Sequence, residues 1–204
     1  IKQAMEKAEA YDTVLVKAGV YEEENIQLKD KVRLIGEDYE KVIIRSKPSS
    51  DEHIIIAECP TGLIQNFTVE HLGAADPNTE PTCVFLINSS VSVKSCKLSS
   101  KNGHGVRLKE SPGLIENCFI ENCGRNGINA GGKGTNAIIR NCTSKGCWNG
   151  ILFCYRSKGT IENTICNDNK KAGILATQPV TELNITASAC SGNKYGILYS
   201  DEAS

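Results

Sequence analysis

The chain has 204 residues, of which 23 are basic and 24 acidic, and its formal net charge is −1. This balance excludes a general electrostatic attraction to nucleic acid or to an anionic membrane. No apolar run approaches the roughly 20 residues that cross a bilayer, and no basic stretch precedes an apolar one as in a signal peptide. We therefore expect one domain, residues 1–204, without a nucleic-acid partner and without membrane insertion.

The first part of the chain predicts a short helix followed by strands. Residues 1–12 contain apolar side chains at helical spacing, and such a helix would cover the open end of a stack: Ile1, Ala4, Met5 and Ala8. Short alternating runs follow within residues 13–70, for example Thr13 to Val16 and Val32 to Ile35. These runs predict strands in irregular first coils.

The remainder of the chain is a repeat. Glycine followed by Val or Ile recurs every 22 or 23 residues, at Gly105, Gly127, Gly150, Gly173 and Gly196. A second set of apolar positions recurs between them, at Val93, Ile115, Ile139, Ile161 and Ile185. A unit of this size cannot bury its own apolar face, so successive units must stack as coils. The prediction is an all-β parallel solenoid of roughly eight or nine coils, regular over residues 83–204.

The opening of the chain resembles a known fold family. The residues that carry the resemblance are Asp12-Thr13, Gly19-Val20-Tyr21-Glu22 and Leu34-Ile35-Gly36. They are similar to the first coil of right-handed parallel β-helix proteins of the pectin-lyase-like superfamily. The later Gly-Ile and Ile-Glu-Asn repeats are similar to those of carbohydrate-binding and sugar-hydrolase proteins, and of eukaryotic adaptor proteins. The resemblance implies a single-stranded right-handed β-helix but no single function, since this fold supports lyases, hydrolases, esterases and inert scaffolds.

Aligned positions of a solenoid become neighbours, so each column predicts a ladder. One column alternates in charge and favours correct register: Lys94, Glu116, Arg140 and Glu162, followed by Thr186. A catalytic role for Glu116 and Glu162 is the alternative. The next column predicts an amide ladder at a turn: Asn66, Ser95, Asn117, Asn141 and Asn163. Its alternative is glycosylation, because Asn66 and Asn141 begin formal acceptor sequences.

The ten cysteines also follow the repeat. Cys96, Cys118 and Cys142 share one column, and Cys123 and Cys147 share another. Buried free cysteines behave as small apolar residues and suit a narrow interior. A disulfide or a zinc site made from these cysteines remains the alternative. Reduced cysteines would favour a reducing compartment for the protein.

Two features predict a binding surface. An apolar strip lies beside basic residues on one lateral face, and its expected members are Arg107, Lys109, Lys133, Leu152, Arg156, Leu175 and Leu198. The alternative is that these leucines belong to the core. An insertion at residues 71–82 predicts a projecting loop whose Asp76 and Glu80 contribute to recognition.

No column supplies the paired carboxylates that glycoside hydrolysis needs, nor the acidic cluster that holds calcium in lyases of this fold. The histidines His53, His71 and His104 are scattered in the sequence and are interpreted as surface or turn residues. We therefore predict a non-catalytic module that binds a protein or polysaccharide, without a cofactor.

The alternatives are a pectate-lyase-like lyase or glycoside hydrolase, which alone would make calcium relevant, and a purely structural spacer. The chain stops within a coil, so we expect further chain or a partner to cover its C-terminal end.

Overall fold

The computed structural model describes residues 1–76, 78–177, 179 and 182–200. Within these residues, one short helix precedes a parallel β-solenoid of eight coils, as the repeat predicted. Each complete coil contributes one strand to each of three sheets, and every strand pairs in parallel with the equivalent strand of the next coil. No helix in the described residues is long and apolar enough to cross a membrane.

The helix α1 spans Lys2–Lys7. Sheet A contains β1 (Thr13–Val16), β4 (Arg33–Gly36), β7 (Leu63–Gln65), β10 (Ser92–Lys94), β13 (Leu114–Glu116), β16 (Asn136–Arg140), β19 (Lys158–Glu162) and β22 (Glu182–Thr186). Sheet B contains β2 (Gly19–Glu22), β5 (Val42–Arg45), β8 (Thr68–His71), β11 (Lys97–Ser100), β14 (Phe119–Glu121), β17 (Thr143–Lys145) and β20 (Ile165–Asn167). Sheet C contains β3 (Ile26–Gln27), β6 (Ile55–Ala57), β9 (Thr82–Ile87), β12 (His104–Lys109), β15 (Asn126–Gly131), β18 (Asn149–Cys154), β21 (Ala172–Thr177) and β23 (Tyr195–Ser200).

Several boundaries differ from the predicted ones. The helix is six residues long and not twelve, although its Met5 is buried against the first coil as expected of a cap. The first coils are not irregular in topology, because their strands join the same three sheets as the later ones. The insertion is residues 72–81, since His71 ends β8 and Thr82 begins β9. We call this segment the insertion loop.

The core is a set of apolar ladders that run along the solenoid axis. Alternate residues of each strand point inward, and the predicted column from Val93 through Ile115, Ile139 and Ile161 is fully buried and in register. The positions that stay apolar from one repeat to the next are therefore the positions that are buried inside the solenoid.

The turn between sheets A and B explains the asparagine column. Asn66, Ser95, Asn117, Asn141 and Asn163 all adopt left-handed backbone angles, with φ between 47° and 63°. Asparagine tolerates this conformation better than most residues. The Asn163 side chain also donates a hydrogen bond of 2.7 Å to Asn141 Oδ1, which confirms an amide ladder at these two coils.

Glycine begins each Gly-Ile landmark because the coils approach closely there. A Cβ atom at Gly127 would lie 2.1 Å from Ser144 Oγ and 2.7 Å from the carbonyl oxygen of Gly150 in the next coil. At Gly196, in the last described coil, the nearest atom would be 3.7 Å away. The landmark is therefore a steric requirement wherever a further coil stacks on it.

The cysteines form the predicted interior ladders. All ten are free thiols and nine are buried. The Cys123 backbone amide donates a hydrogen bond to Cys147 Sγ at 3.4 Å, and the Cys147 backbone amide donates one to Asn169 Oδ1 at 3.0 Å. The column of Cys123 and Cys147 therefore continues with the side chain of Asn169. Burial raises the pKa of Cys83 to about 12, which disfavours its thiolate.

The alternating charges on sheet A neutralise one another. Glu116 lies 2.9 Å from Lys94 Nζ and 2.5 Å from Arg140 Nε, on the coils before and after it. Hydrogen bonds from Lys94 and Arg140 lower the pKa of Glu116. This pairing confirms the predicted role in register and engages both oxygens of Glu116 with cations.

Candidate functional site

A groove of about 440 Å³ lies on the outer face of sheet C. Because side chains alternate along β12, Val106 and Leu108 face the core while Arg107 and Lys109 face outward. The groove is lined mainly by outward residues of successive coils and by the insertion loop, including Glu80, His104, Arg107, Arg125, Asn129, Trp148 and Tyr155. We call it the sheet C groove. A second depression of about 250 Å³ continues it and shares Arg107, Asn129, Cys154 and Tyr155.

The insertion loop places a carboxylate in this groove. Glu80 Oε2 lies 3.4 Å from His104 Nε2 and 3.8 Å from Arg107 Nη1, and its Oε1 lies 3.5 Å from Arg125 Nε. The hydrogen bond from His104, supported by the charges of Arg125 and Arg107, lowers the pKa of Glu80 to about 2. Among the described residues that line the sheet C groove, Glu80 carries the only carboxylate.

His104 is a buried donor within this cluster. Its Nδ1 accepts a hydrogen bond of 3.2 Å from the Asn126 amide, so in the neutral ring the proton is on Nε2, which faces Glu80. The side chain is 2% exposed, and burial lowers the pKa of His104. His104 is therefore neutral near pH 7 and still donates a hydrogen bond into the groove.

Arg107 is held by stacking. Its guanidinium lies 5.3 Å from the centre of the Phe85 ring, one coil earlier in the same column. His53 contacts Phe85 edge to face, with ring centres 4.8 Å apart. The stack fixes the arginine on sheet C before any ligand is present.

The insertion loop is anchored away from the groove. Asp51 Oδ1 accepts hydrogen bonds from the Asp76 amide at 3.1 Å and from Thr79 Oγ1 at 2.8 Å. Asn102 Oδ1 accepts another from the Ala74 amide at 3.1 Å. These contacts hold the loop against the coils, so that Glu80 reaches the arginines.

A column of large side chains follows the turn from sheet B to sheet C, and its Arg125 and Trp148 line the groove. The residues that directly precede the sheet C strands in successive coils are Arg125, Trp148, Lys171 and Lys194. Trp148 is 46% exposed, and Tyr155 on the opposite side of the groove is 65% exposed. The groove thus has aromatic and cationic walls.

Two buried polar atoms at the groove have no hydrogen-bond partner among the described residues. They are Asn149 Oδ1 and Thr177 Oγ1, and both residues line the groove and are 2% exposed.

The structure brings together only part of the predicted site. Arg107, Lys109 and Glu80 border the groove and its continuation, whereas Lys133 and Arg156 are exposed on the turns that follow sheet C. Asp76 does not join them: its Oδ1 accepts hydrogen bonds from Asn78 within the insertion loop.

The predicted apolar strip is not an exposed surface. Its leucines do share one column in register, but Leu175 is 1% exposed, and Leu152 and Leu198 are half-buried. Strand alternation predicts that a residue points outward but not whether it stays exposed. On this face Leu175 lies between Leu152 and Leu198, each one coil away.

Sequence reasoning missed several residues of the groove. The sequence predicts a surface or turn position for His104, which is buried, and it predicts no role for Arg125, Trp148 or Tyr155. A usable signal existed for two of them, because Arg125 and Trp148 each stand two residues before the glycine of a Gly-Ile landmark. Alignment of the residues two positions before these glycines places a cation and an aromatic ring on adjacent coils.

A larger groove of about 770 Å³ lies on the outer face of sheet B. Tyr39 and Phe119 provide its exposed apolar surface, and we call it the sheet B groove. Its lining residue Lys97 pairs with Glu121 at 2.8 Å, and Glu70 pairs with Arg45 at 2.6 Å. The charged groups named here therefore have partners within the fold.

Comparison with known proteins identifies the family. The sequence profile described as "Right handed beta helix region" matches residues 52–204. No curated protein matches the chain at a significant level.

Three solved structures are similar along nearly the whole chain. The A-module of mannuronan C-5 epimerase AlgE6 from Azotobacter vinelandii is 16% identical, with a TM-score of 0.65 over 98% of this chain and 69% of that one. ORF18 of Geobacillus virus E2 is 11% identical, with a TM-score of 0.59 over 93% of this chain and 53% of that one. The catalytic unit of a GH87 α-1,3-glucanase from Streptomyces thermodiastaticus strain HF3-3 is 16% identical, with a TM-score of 0.56 over 96% of this chain and 43% of that one.

At such identities the three likenesses show the fold alone, and the chain spans only about half the length of the viral protein. The profile, however, covers most of the sequence. The coils stack in parallel as the resemblance to pectin-lyase-like proteins predicted. The chain therefore belongs to the right-handed β-helix family.

Proposed function

We propose that this chain is a binding module that holds an anionic polysaccharide in the sheet C groove. The observation that carries the proposal is an imbalance of charge at the groove. Two arginines and a histidine donor converge there, and the single carboxylate among the described lining residues comes from the insertion loop. Guanidinium groups bind carboxylates with both charge and directed hydrogen bonds.

The rest of the groove suits a sugar. Exposed aromatic rings at Trp148 and Tyr155 offer flat apolar surfaces, and the half-buried Asn129 offers an amide for hydroxyl groups. A mixture of rings, amides and a few charges favours a glycan over a purely apolar ligand.

The geometry also favours a polymer. Successive coils repeat the wall of the groove at about 4.8 Å, the ordinary distance between neighbouring strands. A linear chain of sugar units can therefore run along the solenoid and meet the walls of several coils. By their names, two of the similar structures act on polysaccharides, one on mannuronan and the other on α-1,3-glucan.

The hydrogen bond between His104 and Glu80 favours a second candidate function, a polysaccharide lyase or glycoside hydrolase. Histidine beside a carboxylate is a common acid–base pair. Here both ring nitrogens of His104 are engaged and the side chain is 2% exposed, so binding is better supported than catalysis. Release of unsaturated products or reducing ends from a polyuronate, with and without calcium, would establish the second function.

The test of binding is a calorimetric titration with oligomers of a polyuronate and with a neutral glucan of equal length. We expect saturable binding of the uronate, weakened as salt rises from about 50 to about 200 mM, and weaker binding of the glucan. Equal affinity for both, without salt dependence, would show that the charge cluster does not select the ligand.

A further inference from the structure

The Glu80 carboxylate contacts the charge cluster only at long distances, the shortest of which is its hydrogen bond with His104. Its three distances to His104, Arg107 and Arg125 are 3.4, 3.8 and 3.5 Å. Charge-assisted hydrogen bonds are ordinarily about 2.7–2.9 Å long. By contrast, the Lys97–Glu121 ion pair on sheet B has an N–O distance of 2.8 Å, which is within this range.

The Glu80 side chain can leave the cluster without moving the backbone. The backbone beside it is fixed, because the Pro81 carbonyl accepts hydrogen bonds from Ser100 Oγ at 3.1 Å and from the His104 amide at 3.2 Å. The carboxylate itself is 35% exposed. Rotation about side-chain bonds is therefore enough to bring it into solvent.

The Glu80 carboxylate occupies the position from which an anionic ligand would contact the hydrogen-bond donors of the groove. A ligand carboxylate placed there would meet the Nε2–H of His104 and the guanidinium groups of Arg107 and Arg125. Both carboxylates cannot occupy it together, because like charges repel strongly at such short separation.

We infer that Glu80 is an internal competitor, which occupies the carboxylate subsite of the sheet C groove and is displaced when an anionic polysaccharide binds. This inference rests on the proposed function and adds to it a mechanism that limits affinity. The lowered pKa of Glu80 agrees with it, since the competitor stays ionised throughout the neutral range. The insertion loop then tunes how readily the groove takes an acidic ligand.

The experiment compares the affinity of the wild-type chain with that of Glu80→Gln for a polyuronate oligomer, by calorimetry. Glutamine keeps the size of the side chain and removes the charge, so the fold should persist, which circular dichroism checks. We expect roughly 5- to 20-fold tighter binding by the variant. Glu121→Gln changes the net charge equally on sheet B and should alter affinity less than about twofold.

Each outcome separates the inference from the proposed function. Tighter binding by Glu80→Gln, including binding seen only in that variant, supports the internal competitor. If the wild-type chain binds and Glu80→Gln binds equally or more weakly, Glu80 positions the arginines, and the competitor is overturned while the proposed function stands. If neither chain binds, both are overturned, because the variant leaves the arginines uncovered.

Discussion

The grooves on sheets B and C overlap along the solenoid but differ in how their charges are arranged. The sheet B groove is the larger, at about 770 Å³ against about 440 Å³. Its Lys97 and Glu70 are each paired within 2.8 Å. On sheet C, Glu80 faces three donors, none closer than 3.4 Å.

The two grooves therefore differ in charge compensation as well as in volume. Columns whose charges alternate between coils neutralise themselves, as Lys94, Glu116 and Arg140 do on sheet A. Arg107 and Arg125 belong to different columns of adjacent coils, and two cations placed near each other in this way keep a net positive field. Sheet C has such an arrangement, and its compensating charge comes from outside the repeat.

The largest expected effect concerns the stacking beneath sheet C. Gly127→Ala should lower the free energy of unfolding by about 3 kcal/mol, because the new Cβ would overlap Ser144 Oγ and the Gly150 carbonyl. Urea denaturation measures this change. Gly196→Ala is the matched control and should change stability by less than about 1 kcal/mol, since its Cβ would meet no atom within 3.7 Å. Equal losses in both variants would refute the steric explanation of the landmark.

The next largest effect concerns the two arginines of the sheet C groove. The double variant Arg107→Gln with Arg125→Gln should weaken binding of a polyuronate roughly 30-fold, or about 2 kcal/mol, because it removes both guanidinium groups. The control Arg45→Gln with Lys97→Gln removes the same charge from sheet B and should change the affinity less than threefold or so. Similar weakening by both pairs would mean that only net charge matters.

A smaller effect tests the aromatic wall. Trp148→Ala should weaken binding of the polyuronate by about 1 kcal/mol, since it removes the exposed ring that packs against a sugar face. Phe119→Ala removes an exposed ring from the sheet B groove and should leave the affinity unchanged. Calorimetric titration of both variants gives the comparison, and a loss in Phe119→Ala alone would move the site to sheet B.

The smallest effect concerns pH. Because Glu80 has a lower pKa in the folded chain than in the unfolded chain, the stability it contributes is present above pH of about 4.5 and is lost as pH falls towards about 2. The wild-type chain should exceed Glu80→Gln in stability by less than about 1 kcal/mol near neutral pH, given its partial exposure. Denaturation at several pH values should show this difference shrinking below about pH 4.5, and a difference that grows instead would contradict the assigned pKa.

The sequence predicted the fold well because the repeat constrains it at every coil. Columns such as Val93 to Ile161 and the Gly-Ile landmarks are spaced so that only one register aligns them. A shift by one residue would turn the apolar column outward. The cysteine and asparagine ladders followed from the same alignment.

The candidate site was predicted only in part, because it combines side chains of the repeated coils with Glu80 of the insertion loop, which is not part of the repeat. Arg107 and Glu80 were each expected to contribute to recognition, but nothing in the spacing showed that the insertion loop returns to the arginines. Its path depends on Asp51 and Asn102, which lie far away in sequence. The burial of Leu175 could not be predicted either, because the alternation of side chains along a strand predicts which way a side chain points and not how exposed it is.

The fluorescence of Trp148 shows whether an anionic polysaccharide binds in the sheet C groove. It is the only tryptophan of the chain and it lines the groove, so its emission reports on this site alone. Titration with a polyuronate oligomer should change the emission saturably, and the change should disappear in the Arg107→Gln, Arg125→Gln double variant. Binding detected by calorimetry while the emission stays constant would contradict the claim and place the ligand elsewhere.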